Sequence, residues 1–78
     1  MNRYRPPYTT GQIATLLHVA PRTVTKWCDS GRLKCYRLPG STDRRIREED
    51  LKFFLLVNEL PSLEKLEAGL RTGILSIG

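Results

Sequence analysis

Histidine, tryptophan and methionine each occur once in the 78 residues, and cysteine twice. Each scarcity excludes something. With His18 as the only imidazole there is no nucleophile–base pair, and no glycine-rich phosphate loop is present, so an enzyme is not expected. Structural zinc usually takes four ligands in two close pairs, which Cys28, Cys35 and His18 do not supply. No metal and no cofactor is therefore expected. Two cysteines are too few for a dense disulfide framework, and both are read as small buried hydrophobes. The longest unbroken apolar run, Phe53 to Val57, falls far short of the roughly 20 residues that span a bilayer. Met1 to Pro7 is polar and proline-bearing, unlike a secretory leader. These features predict a soluble chain in a reducing cytoplasm. A chain this short buries only about 60% of its unfolded surface, which leaves no room for a core plus a separate catalytic cleft.

What is present is charge, unevenly spread. The net charge is +5, but residues 1–47 hold ten basic residues against Asp29 and Asp43, a net +8, whereas residues 48–78 hold three against six acids, a net −3. A positive half joined to a negative half points to a polyanionic partner, nucleic acid being the commonest.

The chain carries no internal repeat. Residues 1–8 read as a basic arm, with Arg3, Tyr4 and Arg5 ahead of Pro6 and Pro7, which favour an extended backbone. Thr9 and Gln12 have capping-box spacing, and Ile13, Leu16 and Leu17 form the buried stripe of a first helix. His18-Val19-Ala20 is a tight turn. Pro21 suits the first position of a second helix, Pro21 to Ser30, with Val24, Trp27 and Cys28 inward and Gly31 as its left-handed terminator. Leu33 to Arg37 then alternates as a strand, Pro39-Gly40 turns, and Arg44 to Arg47 returns with Ile46 inward, predicting a two-stranded hairpin. Glu48, Glu49 and Asp50 favour the positive end of a third helix with Leu51, Phe54 and Leu55 inside. Pro61-Ser62 starts a fourth, Leu63 to about Leu70, and Gly73 to Gly78 is an uncommitted apolar tail. The predicted class is α+β, mostly helical: a winged helix-turn-helix over residues 9–60, with 61–78 as a short C-terminal helix and tail.

The second helix presents Arg22, Thr23, Thr25 and Lys26 outward. Arg22 and Lys26 have donors for guanine O6/N7 or phosphate, and the threonines suit phosphate or a thymine methyl. The helix start at Pro21 offers amides to a phosphate. Arg37, Arg44, Arg45 and Arg47 flank the hairpin tip, where a basic ribbon lies along the backbone or enters the minor groove.

Tyr8 to Leu33, followed by Tyr36-Arg-Leu-Pro-Gly and Arg44-Arg-Ile-Arg-Glu-Glu-Asp-Leu, resembles the MerR superfamily, and within it the compact excisionase-type and BldC-like winged helix-turn-helix domains. The resemblance runs from residue 8 to about 57. It implies that Pro21, Arg22, Thr23 and Lys26 face DNA and that Arg44, Arg45 and Arg47 belong to the wing. Three departures stand out. Ala20 replaces the usual capping Ser or Asp, Ser41-Thr42-Asp43 lengthens the wing tip and adds an acid, and the long dimerisation helix of full-length MerR regulators is absent, so no built-in effector sensor is expected.

Trp27 is read as core rather than as a base-stacking residue, and His18 as a turn residue where the resembled domains commonly have Gly. Tyr36 stays open between packing and DNA contact. The expected function is sequence-specific binding of double-stranded DNA, as a transcription regulator or an excisionase-type recombination factor, in the nucleoid and with cooperative self-association on adjacent sites. Two alternatives remain: the DNA-binding head of a larger protein, and a protein-interaction adaptor on the same scaffold.

Overall fold

Thr9 and Gln12 cap the first helix reciprocally. The Gln12 amide donates to Thr9 Oγ1 at 3.0 Å, and the Thr9 amide donates to Gln12 Oε1 at 2.9 Å. The computed structural model describes residues 6–72. Its elements are β1 (Tyr8–Thr9), α1 (Thr10–Leu17), α2 (Pro21–Ser30), β2 (Tyr36–Arg37), β3 (Arg44–Ile46), α3 (Glu48–Val57) and α4 (Leu63–Thr72). The Arg3-Tyr4-Arg5 arm, the side chain of Leu70 and the tail from Gly73 lie outside the described residues.

The turn between α1 and α2 is a Schellman motif. His18 adopts a left-handed backbone, φ 58°, and the Val19 amide donates to the Ala14 carbonyl at 3.0 Å, which returns the chain while Val19 packs against the core. A non-glycine residue in this conformation costs roughly 1–2 kcal/mol, which explains why a glycine is the easier choice here. α2 starts at Pro21 with no side-chain cap from Ala20 and stops at Gly31, φ 83°. α3 begins on Glu48, Glu49 and Asp50. It ends where Asn58 Nδ2 donates to the Phe54 carbonyl at 2.8 Å and Glu59 turns left-handed. Ser62 then accepts from the Lys65 amide at 3.3 Å and opens α4.

The winged helix-turn-helix expected from the sequence is the fold observed. The hairpin is part of a three-stranded antiparallel sheet in the order β1-β3-β2, with Tyr8 opposite Ile46 and Tyr36 opposite Arg45. Tyr8 is thus a sheet residue rather than the last residue of an arm. Its hydroxyl donates to Glu67 Oε2 at 2.6 Å and joins the sheet to α4.

Ile13, Ala14, Leu16, Val24, Leu33, Ile46, Leu51, Phe54, Leu55 and Leu63 form one buried core to which every helix contributes. Leu17, assigned to the buried stripe, is only half-buried at its edge. Trp27 packs on Phe54, ring centroids 4.9 Å apart, and lies against the core as expected. α4 places Leu63 in the same core as the preceding helices, so it is no appendage.

The two cysteines correct the sequence reading. Cys28 and Cys35 form a disulfide, seven residues apart in sequence, with Cα atoms 5.7 Å apart. Gly31 reverses the chain directly after α2, which brings the irregular segment leading into β2 back beside the last turn of the helix, within disulfide reach. Both residues are half-buried.

Candidate nucleic-acid interface

At 100° per residue, Val24, Trp27 and Cys28 occupy one side of α2, and Arg22, Lys26 and Asp29 share the opposite side at i, i+4 and i+7. The burial agrees. Val24 is fully buried, whereas Pro21, Arg22, Lys26 and Asp29 are exposed and Thr23 and Thr25 are half-buried on the flanks. Among the described residues neither Arg22 nor Lys26 is in an ion pair. Both guanidinium and ammonium are therefore available to an external anion. At the helix start the Thr23 amide bonds the Ala20 carbonyl at 2.9 Å, and Pro21 has no N–H. The Arg22 amide is the donor left over for a phosphate.

The wing arginines divide into two groups. Alternation along β3 puts Arg44 on the side of Ile46, and Arg45 with Arg47 on the other. Arg44 points back to the helix: its Nη2 donates to Asp29 Oδ1 at 2.7 Å, and its side chain is only 19% exposed. Arg45, half-buried, lies beside Tyr36 and donates to the Arg44 carbonyl at 3.1 Å. Arg47 is exposed and sits over the Tyr36 ring, its guanidinium carbon 5.0 Å from the centroid. That contact is a cation–π interaction between the guanidinium and the ring face. Arg37, on β2, is exposed.

Two interactions escaped the sequence reading. Asp29, in composition merely an acid within the basic half, pairs with Arg44 and links the base of the wing to α2. Tyr36 serves as the platform for Arg47. The first had a signal, since a residue two before the inward Ile46 should also point inward. The second had none, because it depends on the Tyr36–Arg45 register. Arg32 and Lys34, in the connection from α2 to β2, are also exposed and add to the same basic region.

A helix pair with a tight turn, an outward cationic stripe on the second helix and a basic hairpin joined to that stripe define a helix-turn-helix domain. The chain matches the helix-turn-helix domain family over residues 7–56 and belongs to it. Over 48 residues it is 44% identical to the transcriptional repressor DcmR of Methylorubrum extorquens, a stretch covering 62% of this chain and 18% of the repressor. The chain thus spans less than a fifth of that relative. No solved structure matches it. Among the described residues, no group of three or more His, Cys, Asp or Glu is placed to hold a metal ion, and no helix is long and apolar enough to cross a membrane.

Proposed function

We propose that this chain binds double-stranded DNA in a sequence-specific manner and regulates transcription, with α2 in the major groove and the β2–β3 hairpin along the adjoining backbone. One observation carries the reading. Asp29, on the same outer stripe as Arg22 and Lys26, bonds Arg44 at the base of the wing, so the helix face and the basic hairpin form one continuous surface. Arg22 and Lys26 read bases, Thr23 and Thr25 and the amide after Pro21 meet phosphates, and Arg37, Arg45 and Arg47 follow the backbone. Arg44 takes a supporting part, aiming the wing. The repressor relative favours regulation. The resemblance to MerR-type excisionase domains keeps a recombination role as the second reading, because both use the same contacts. One recognition helix covers only a few base pairs, so further copies on adjacent sites belong to the proposal.

Selection of bound sequences from a random duplex pool tests it. A defined preferred site is expected, with log K falling against log salt at a slope of about −4 to −5 for roughly 5 phosphate contacts. No enrichment, or an affinity indifferent to salt, contradicts it. Mapping of bound sites in cells separates the two roles: promoters for a regulator, an element attachment site for a recombination factor.

A further inference from the structure

The Cys28–Cys35 bond lies where the recognition helix meets the wing. Cys28 is in the last turn of α2, and Cys35 immediately precedes β2. β2 itself is a two-residue edge strand paired only with β3. Among the described residues, the further ties of this region to α2 are the burial of Leu33, ahead of β2, whose amide donates to the Trp27 carbonyl at 3.1 Å, and the ion pair of Arg44, on β3, with Asp29, whose side chain is 59% exposed. With the carboxylate mostly in solvent, this pair contributes little on its own. Neither sulfur belongs to the fully buried core. The bond is thus a tie between α2 and the segment entering β2 that lies outside the fully buried core.

We propose that Cys28–Cys35 is a thiol–disulfide switch setting how firmly the wing is held against α2, so that the oxidised chain binds duplex DNA more tightly than the reduced chain. The affinity part rests on the DNA-binding reading above. The reaction is ordinary exchange. A thiolate of a dithiol reductant attacks one sulfur and the Cys28–Cys35 bond breaks to a mixed disulfide. The second thiol of the reductant then displaces the other cysteine, leaving two protein thiols and one oxidised, cyclic disulfide. Both cysteine residues are half-buried beside the core rather than enclosed in it. Disulfides in reducing compartments are usually transient, and of the redox-sensing or catalytic kind. The effect on binding follows from pre-organisation: a wing already fixed beside the helix loses less freedom when it meets the backbone.

The test equilibrates the full chain in mixtures of reduced and oxidised dithiothreitol, with the bond state read by mass after alkylation. Three properties are followed: far-ultraviolet circular dichroism, amide exchange, and affinity for the selected duplex. Reduction should leave the helical signal in place and speed exchange at Tyr36 to Arg45 by more than at Ile13 or Leu51. It should weaken binding by about tenfold, as expected when an interface element loses its pre-organisation. A Cys28→Ser, Cys35→Ser chain should match the reduced protein under both conditions. Equal wing exchange and equal affinity in the two states overturn the proposal, as does loss of the helical signal on reduction, which marks a structural staple. A redox-dependent wing in a chain that binds no duplex in either state supports the latch and overturns the DNA-binding reading instead.

Discussion

His18 and Ala20 are single positions of the helix-turn-helix where another residue would suit the local backbone better. His18 occupies a left-handed conformation that glycine adopts freely, and Ala20, extended at φ −70° and ψ 146°, has the backbone of a capping residue without the oxygen. His18→Gly should raise stability by about 0.5–1 kcal/mol, the relief of the left-handed strain exceeding the backbone entropy that glycine loses. Ala20→Ser should add about 1 kcal/mol by accepting from a free amide of α2. Urea unfolding checks both, and a lower midpoint for either contradicts the assigned geometry. Trp27→Ala removes a ring packed at a tilt against Phe54 and should cost about 3 kcal/mol, the lower end for such a change because Trp27 is only half-buried. A Trp27→Ala chain that keeps its thermal midpoint and loses only DNA affinity would put the ring on the binding surface.

At the scale of elements, the recognition helix and the wing are linked by the Cys28–Cys35 bond and the Arg44–Asp29 pair. A double-mutant cycle over Asp29→Ala and Arg44→Ala should give a coupling of no more than about 1 kcal/mol in stability, since the carboxylate is mostly exposed. The same cycle measured in DNA affinity should be non-additive, because either change removes the same Arg44–Asp29 tie. Strict additivity there contradicts a supporting role for Arg44. Helix starts and stops were legible in the chain, since Thr9 with Gln12, Pro21, Gly31, Glu48 to Asp50 and Ser62 each act within one turn of their own position. β1 was not: two residues carry no period, and Tyr8–Thr9 becomes a strand only because β3 lies beside it. The bond between Cys28 and Cys35 is not legible in the chain because its cause is the reversal at Gly31, and two cysteines without further metal ligands read as apolar filler. Arg44, Arg45 and Arg47 were grouped by composition, whereas the pleat separates them.

For the whole molecule, one core supports the surface that the functional proposal uses, and a covalent link crosses it. Closing so short a loop restricts the unfolded chain by roughly 2–3 kcal/mol, so reduction should lower the thermal midpoint by roughly 10 to 20 °C. An unchanged midpoint contradicts a closed bond in the native chain. The uneven charge has the other molecular consequence, a basic half that carries both α2 and the wing.

The central claim is that α2 reads sequence while the wing follows the backbone. The measurement that tests it most directly compares binding of four variants, Arg22→Ala, Lys26→Ala, Arg45→Ala and Arg47→Ala, to the selected site and to scrambled duplex over a range of salt. The helix variants should lose about 1–3 kcal/mol of discrimination between the two DNAs. The wing variants should weaken both nearly equally and reduce the salt slope by about one for each lost phosphate contact. If the wing variants change sequence preference while the helix variants lose affinity uniformly, the roles are reversed and the account of α2 as the reader fails.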